Sequence, residues 1–388
     1  MISALSRPYI EASVPVLKQR GVAITTVFYR NLFAEFPELT NLFNMGNQAN
    51  GAQQQSLAAA VFAYAANIDN PGALGPVVSR IVHKHVSLGI KAEHYPIVGR
   101  HLLGAIQEVL GEAATPALLE AWGEAYGSLA KLFIETEQQL YAQAGIEAGA
   151  TRPMTVVSVK QESAEVAAIT LRPADDLPLP AFKPGQYVSV AVSFEDGSRQ
   201  LRQYSLSDAP DGNQFRISVK REHAGKETPA GQVSNWLHDN VKEGAVLQVS
   251  HPFGDFTPDT ESSKPIVLLS AGVGITPMIS TLNQIARSNP QREVIFGHAA
   301  RSAAHHAHQD DLAAARSLMP NLRTATFYED EHGHMDLERL PEWQRDAANV
   351  YLCGPTGFMR AQWQNLLQAG VPVQRLHREV FGPDLLEI

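Results

Sequence analysis

Arg202-Gln203-Tyr204-Ser205 puts a cation, a flat ring and a hydroxyl within four consecutive residues of a β-rich run. Alternation along a strand sends Arg202 and Tyr204 to one face and Ser205 to the other, so a guanidinium can meet a phosphate while the ring packs on a flat heterocycle. Further on, Gly272-Val273-Gly274-Ile275-Thr276-Pro277 follows a continuous apolar run and opens a helical one. Glycines there let a diphosphate approach the backbone, and a helix N-terminus supplies partial positive charge. Gly231-Gln232-Val233-Ser234 opens another apparent helix, whose first-turn N–H groups and Ser234 suit a second pyrophosphate. Two anchoring points for phosphorylated, flat ligands therefore lie in the C-terminal two thirds of the chain.

The N-terminal third offers different chemistry. His85 shares an apolar helical stripe with Val78, Ile81 and Val82. A lone histidine on such a stripe is usually a satisfied core residue, but other polar groups sit on apolar faces too. Glu137 accompanies Phe133, Leu140 and Tyr141, and Tyr95 precedes Pro96 at a helix start. A buried carboxylate is unfavourable without a hydrogen-bonding partner. A neutral histidine bound to a metal through one ring nitrogen needs an acceptor at the other, which Glu137 with Tyr95 would provide. Tyr29 and Gln53, set among Phe28, Phe33, Leu57 and Val61, are suited to bonding a small diatomic.

The elements that must position these residues change character twice along the chain. From Pro15 to Tyr141 apolar residues recur at helical spacing, giving six or seven helices; a stripe from Val22 to Phe36 is ended by Pro37, and Thr115-Pro116 caps the last helix. Gln143 to Pro153 is small and polar and reads as a linker. Beyond it, β-rich runs with a period of two, such as Val166 to Leu171 and Phe215 to Lys220, are separated by turns such as Asp196-Gly197 and predict a small antiparallel barrel. From Pro265 continuous apolar strands (Ile266 to Leu269, Val294 to Phe296, Val350 to Leu352) alternate with helical segments, predicting a parallel sheet covered by helices. The expected organisation is an all-α domain (1–143), a linker (144–152), an antiparallel β-barrel domain (153–261) and a parallel α/β domain (262–388).

The 388 residues carry a formal net charge of -9, which offers no electrostatic footprint for nucleic acid or an anionic membrane. The single cysteine, Cys353, excludes an intramolecular disulfide and a multi-cysteine metal site. No secretory signal or membrane-spanning run is evident, so the expected location is the cytoplasm. His305-His-Ala-His308 invites a metal-site reading, but it follows Ala299 to Ala304 like a surface helix start, and the expectation is that it only solvates that helix.

Arg202 to Ser205, preceded by Lys183-Pro-Gly-Gln-Tyr187 and followed by the Gly231 motif, resembles the flavin domain of the ferredoxin-NADP reductase superfamily. Gly272 to Pro277 and Tyr351-Leu-Cys353-Gly354-Pro355 resemble its nicotinamide-binding half; the end of a parallel strand is where ligands of open sheets bind, which predicts Cys353 facing the nicotinamide. In the first third, Phe28-Tyr29, Leu42-Phe-Asn-Met45, Gln53 with Leu57, Lys84-His85, Tyr95-Pro-Ile-Val-Gly99 and Ala121-Trp-Gly-Glu-Ala-Tyr126 resemble the globin domain of bacterial flavohaemoglobins, whose domains follow in this order.

That resemblance implies haem b, with His85 as the proximal iron ligand, Tyr95 and Glu137 as its relay partners, Tyr29 and Gln53 as distal hydrogen-bonders, Leu57 as the distal wall and Phe43 packed on the haem. It implies FAD at Tyr187, Arg202 to Ser205 and Gly231 to Ser234, covered by the tail Val380-Phe381-Gly382-Pro383, with NADH or NADPH at Gly272 to Pro277 and Cys353 to Pro355. Lys84 and Glu379 match positions that tune electron transfer. The implied activity is nitric oxide dioxygenation: NAD(P)H reduces FAD, FAD reduces haem iron, and the reduced haem turns NO and O2 into nitrate. A lipid or other apolar molecule is a further candidate for the distal pocket, and a monomer is expected. Two other readings stay open, an oxygen-binding or sensing globin with a built-in reductase, and a reductase of another acceptor such as a lipid hydroperoxide.

Two departures stand out. The Gly-Gly-Trp linker common in that family is missing near Ala144 to Thr151, and Val380 stands where many members have cysteine. Glu227 to Ala230 reads as an insertion before the Gly231 motif. The strand Val294 to Phe296 ends without an acidic residue for a ribose 2′-hydroxyl, while Arg301-Ser302 could accept a 2′-phosphate, so coenzyme choice is not fixed.

Overall fold

Helical periodicity in the first third becomes six α-helices among the described residues: α1 (Arg7–Glu35), α2 (Met45–Ala49), α3 (Ala52–Ala66), α4 (Gly75–Leu88), α5 (His94–Leu110) and α6 (Pro116–Ala144). The computed structural model describes residues 2–175, 177–225 and 228–383; Glu227 of the expected insertion and the last five residues of the expected 262–388 domain lie outside them. The chain divides into two compact units, residues 1–150 with 192–201 and 224–229, and the remainder.

The first unit is centred on α1. This helix begins eight residues before Pro15, the start expected from sequence, and continues through it. Pro15 lies on an exposed face, so the carbonyl whose hydrogen bond it removes can meet water. Pro37 does end the helix, with the Phe36 N–H returning to the Leu32 carbonyl at 2.8 Å. Ile10, Ile24, Phe28 and Leu32 of α1 join Leu102, Ala105 and Ile106 of α5 and Trp122 and Ala125 of α6 in one apolar core. A second cluster holds Val82 of α4, Tyr95 of α5 and Phe133 of α6.

Helix ends fix the angular position of the site residues. Thr115 caps α6 by accepting the Leu118 N–H at 3.3 Å, with Pro116 in the first turn, as the sequence indicates. α4 stops one turn after His85 at Gly89, whose φ of 79° is a left-handed conformation. A Cβ there would also lie 2.4 Å from Gly149 Cα, so glycine is required twice over.

The second unit contains one sheet whole and all of the other except residues 192–201. Six strands, β1 (Thr151–Gln161), β2 (Val166–Pro173), β3 (Tyr187–Ser193), β4 (Arg199–Ser205), β5 (Phe215–Lys220) and β6 (Val246–Ser250), form an antiparallel sheet in the order β4-β3-β6-β1-β2-β5, with α7 (Gln232–Asn240) inserted before β6. Its inward residues are β-branched and aromatic, Val188, Val190, Phe215, Ile217 and Val219 among them.

The remaining elements are β7 (Ile266–Ala271), α8 (Ile275–Ser288), β8 (Val294–Ala300), α9 (Gln309–Leu318), β9 (Leu322–Tyr328), the short α10 (Glu329–His332), β10 (Asn349–Cys353), α11 (Thr356–Gln368) and β11 (Leu376–Glu379). Their strands make a parallel sheet, order β11-β10-β7-β8-β9, buried on both faces by separate apolar clusters. The chain leaves β7 for β8 on one side while β10 lies on the other, so the order reverses at the carboxyl ends of β7 and β10, the place where open sheets bind ligands.

Candidate functional site

In the first unit, α4, α5 and α6 bring together three polar side chains that lie far apart in sequence. His85 Nδ1 is 2.8 Å from Glu137 Oε1 and 3.1 Å from the Tyr95 hydroxyl, and that hydroxyl also donates to Glu137 Oε1. Glu137 is 2% exposed, so its carboxylate is held by these two donors in an apolar surround. With the carboxylate as acceptor, Nδ1 carries the imidazole proton and the Nε2 lone pair is left for a metal. The Phe133 ring stands edge-on to the imidazole at 5.9 Å and limits its rotation.

Burial, and then the hydrogen bond to Glu137, push the Tyr95 phenol far above the usual tyrosine range. Tyr126 and Tyr141 are raised by burial and then by the same carboxylate. Tyr126 fixes α5 from behind by donating to the Tyr95 carbonyl at 2.7 Å, and Gly99 makes room for its ring: a Cβ there would lie 2.6 Å from Tyr126 Cε1.

Tyr29 is buried on α1, its phenol pushed up to about 12 by burial, with Gln53 as a hydrogen-bond partner. Its ring meets Phe28 at 4.8 Å, Phe33 at 5.7 Å and Phe43 at 5.6 Å. Phe43, Leu57 and Val61 pack on the helical core yet keep part of their surface uncovered. A histidine with an anionic second partner, apolar walls and a buried neutral phenol are a donor set that fits a haem iron. Lys84 is partly buried beside His85.

In the second unit, Ser205 at the end of β4 is buried, while Arg202, Gln203 and Tyr204 are all partly exposed, so burial along β4 does not follow a strict alternation. The Ser205 hydroxyl has no hydrogen-bond partner among the described residues. Such an orphan is costly unless a ligand oxygen meets it, and it fits a flavin or its phosphates. Desolvation pulls the Arg202 guanidinium down and pushes the Tyr204 phenol up. Tyr187 begins β3 with its ring against Gly254, where a Cβ would approach to 3.1 Å.

Gly231 caps α7, and the helix leaves the N–H groups of Gln232, Val233 and Ser234 without carbonyls one turn back. The Ser234 side chain is engaged locally, donating to the Gly231 carbonyl and accepting the Glu222 N–H, both at 3.2 Å. The backbone of this turn is therefore the better phosphate donor, with Ser234 holding its shape.

At the carboxyl ends of β7 and β10 two turns close on each other. Gly272 has a φ of 54°, and a Cβ on Gly274 would lie 2.4 Å from the Cys353 carbonyl oxygen. A Cβ on Gly354 would meet Phe358 at 2.8 Å, so the turn before Pro355 is equally tight. Ile275, Thr276 and Pro277 are buried as α8 begins, with the Thr276 hydroxyl turned onto the Val273 carbonyl at 3.0 Å. Cys353 has no exposed surface; its side chain packs with Ile275, Met278 and Tyr351, and burial, then Glu379, holds the thiol well above its usual range. A nucleotide at this turn would meet the Cys353 backbone more readily than its sulfur.

Glu379 ends β11 as the neighbour of Cys353 and is itself buried. Val380 is buried against Met359, whereas Phe381 is exposed and Gly382 has a φ of 92°. The histidine cluster departs from expectation. It is not a solvated helix start: His306 and His308 are buried, and His308 stands at a left-handed φ of 61°. Its Nε2 lies 2.9 Å from Ser218 Oγ of β5 and its Nδ1 2.8 Å from Asp311 Oδ2, so sequence reasoning missed a polar joint between the two sheets' domains. Glu162 and Asp311 could complete a cation site there, but Lys160 and Arg216 already neutralise them at 3.1 and 3.0 Å.

Three family models match along the chain: a globin over residues 26–132, an oxidoreductase FAD-binding domain over 153–257 and an oxidoreductase NAD-binding domain over 268–364. A flavohemoprotein of Bordetella parapertussis is 50% identical over 98% of this chain and 99% of its own length. This chain belongs to the flavohemoprotein family. A flavohemoprotein of Bacillus subtilis is 42% identical over 97% of this chain and 96% of its own. Among solved structures, the flavohemoglobin of Malassezia yamatoensis, described with bound FAD and haem, superposes with a TM-score of 0.88 at 31% identity over 98% of this chain and 100% of its own. The FAD/NAD-binding domain of a nitric oxide dioxygenase from Vibrio cholerae covers 60% of this chain and 100% of its own at 38% identity and a TM-score of 0.57. The family fits the fold in every layer, helical globin, antiparallel FAD sheet and parallel NAD sheet. Among the described residues no helix is long and apolar enough to cross a membrane.

Proposed function

We infer that this flavohemoprotein is a nitric oxide dioxygenase, using NAD(P)H and O2 to convert NO to nitrate. The observation that carries the reading is His85 bonded through Nδ1 to a buried carboxylate, in the same chain as a buried hydroxyl, Ser205, that has no partner among the described residues. Full-length relatives named flavohemoproteins and the Vibrio cholerae dioxygenase domain support it. Bound haem supplies a one-electron metal centre, and bound FAD divides a hydride pair into single electrons for it.

The chain's own residues would then act as follows. His85 Nε2 holds the iron, while Glu137 and Tyr95 keep the Nδ1 proton and make the ligand electron-rich. Tyr29, its phenol at about 12, stays protonated at neutral pH and remains a donor toward a diatomic, steadied by Gln53. Phe43 and Leu57 keep water from that side. Arg202, Gln203, Tyr204, Ser205, Tyr187 and the turn Gly231 to Ser234 bind FAD, with Phe381, between Val380 and Gly382-Pro383, covering its ring. Gly272 to Pro277 and Cys353 to Pro355 bind the nicotinamide dinucleotide. Lys84 and Glu379 tune electron transfer.

The domains assigned are 1–143 for haem, 144–152 as linker, 153–261 for FAD and 262–388 for the dinucleotide. A cytoplasmic monomer belongs to the same reading, as does a distal pocket able to admit a lipid. The test is aerobic NO consumption by the haem- and FAD-loaded protein, with and without NADH. Rapid consumption that needs NADH supports the reading; firm retention of O2 with negligible NO turnover overturns it in favour of an oxygen-binding globin.

A further inference from the structure

We propose that Glu165 sets coenzyme choice, by withholding Arg301 from the adenosine 2′-phosphate of NADPH and so favouring NADH. The inference deepens the dinucleotide reading above and rests on it. The turn Gly272 to Gly274 ends β7, and β8 lies beside it in parallel register, Ala271 opposite Ala299. A dinucleotide whose diphosphate occupies the first turn extends its adenosine ribose over the end of the neighbouring strand. Arg301 and Ser302 are the first residues beyond Ala300 at that end.

On sequence alone, Arg301-Ser302 reads as a 2′-phosphate acceptor. In the folded chain neither side chain is uncommitted. Arg301 Nη2 pairs with Glu165 Oε2 at 2.5 Å, and Ser302 Oγ lies 2.7 Å from His305 Nδ1. Glu165 reaches Arg301 from the turn between β1 and β2 of the FAD domain, and that turn is tethered: the Ala164 N–H donates to the Ala304 carbonyl and the Arg221 N–H to the Glu165 carbonyl, both at 2.8 Å. Glu165 is 17% exposed while Arg301 is 57% exposed, so the carboxylate is the fixed partner and the guanidinium the mobile one.

A 2′-phosphate brings close to two negative charges. To use Arg301 it must take the guanidinium from a carboxylate and then lie next to that carboxylate. Like-charge juxtaposition suppresses a wrong partner even where the exposed ion pair itself contributes little to stability. A ribose 2′-hydroxyl carries no charge and meets no such opposition. His223 and Lys220 stand near Glu165, but Lys220 is bonded to Glu222 at 3.1 Å, and His223 Nε2 is 3.9 Å from Glu165 Oε1. Removing the Glu165 charge therefore frees the Arg301 guanidinium for a phosphate, while Lys220 stays with Glu222.

The experiment compares Glu165→Gln, Arg301→Ala and the double variant with the parent, all loaded with haem and FAD. The kcat/KM ratio of NADPH to NADH is measured with ferricyanide as acceptor, and the affinities of 2′,5′-ADP and 5′-AMP by titration. Glu165→Gln is expected to raise the NADPH/NADH ratio about tenfold and to tighten 2′,5′-ADP but not 5′-AMP, with the gain lost in the double variant. Arg301→Ala alone should change the ratio less than twofold, because the parent does not use that guanidinium. An unchanged ratio in Glu165→Gln, a gain that survives in the double variant, or a tenfold fall in Arg301→Ala would each overturn the proposal. Should Glu165→Gln fail to retain flavin, the Arg301→Ala result decides alone. A parent that reduces ferricyanide with neither coenzyme contradicts the dinucleotide reading itself.

Discussion

Glu137 Oε1 lies 2.8 Å from His85 Nδ1, so a carboxylate on α6 fixes the proton position of an imidazole on α4. The separation in sequence is 52 residues, and the contact forms because both helices bury one apolar stripe against α5. Replacing Glu137 by Gln keeps the shape and removes the charge. The iron–histidine stretching frequency of the haem-loaded variant should fall, its reduction potential should rise, and NO turnover should drop by about 10- to 100-fold. Unchanged vibrational and redox signatures would place Glu137 among purely structural residues.

Tyr29→Phe removes the buried donor while preserving its packing against Phe28, Phe33 and Phe43. One hydrogen bond to a charge-bearing ligand is worth about 1.5 to 3 kcal/mol, so O2 should dissociate about 10- to 100-fold faster. The parent should show an O2 dissociation rate independent of Tyr29 ionisation from pH 6 to 9, because the phenol ionises only near 12. As a group raised above its unfolded value of 10.0, Tyr29 contributes stability that is complete below pH 10 and is lost as pH rises through about 12. Stopped-flow dissociation and alkaline unfolding curves of the parent and Tyr29→Phe measure the two effects separately.

Ser205→Ala should separate cofactor affinity from fold stability. The hydroxyl is buried without a partner among the described residues, so its removal should leave the flavin-free protein equally or more stable. The same change should weaken FAD about tenfold. Thermal unfolding of the flavin-free form, alongside flavin fluorescence titration, distinguishes this from general damage, in which stability and affinity fall together.

His308 belongs to a buried polar joint with Ser218 and Asp311. His308→Ala would leave Ser218 and Asp311 without their imidazole partner, and the expected loss is about 2 to 4 kcal/mol of folding stability. Chelator treatment of the parent should leave its melting temperature unchanged. A chelator-dependent shift restored by zinc would instead assign a cation to Glu162, His308 and Asp311.

Much of this architecture was legible because each layer has its own period and punctuation. Thr115-Pro116 and Pro37 marked helix ends, and Ile266 to Leu269 is apolar on every residue because β7 is buried on both faces. Sequence reading starts the helical pattern at Pro15, eight residues late, because nothing local shows that this proline lies on the solvent side of α1. β9 and β11 carry Arg323, His377, Arg378 and Glu379, a polarity that hides edge strands whose pairing is decided by their neighbours. The grouping of His85, Tyr95 and Glu137 followed from polar residues on apolar stripes. The burial of His308 did not, since its partners Ser218 and Glu162 come from another domain and carry no local signal. For the same reason Arg301 read as available, although Glu165 holds it.

The central claim is tested most directly by supplying 18O2, NO and NADH to the haem- and FAD-loaded protein and analysing the product by mass spectrometry. The account expects nitrate containing two labelled oxygen atoms, with one O2 consumed per NO and one NADH per two NO. Unlabelled nitrite or nitrous oxide as the main product under air, or NADH oxidation independent of NO, would contradict it.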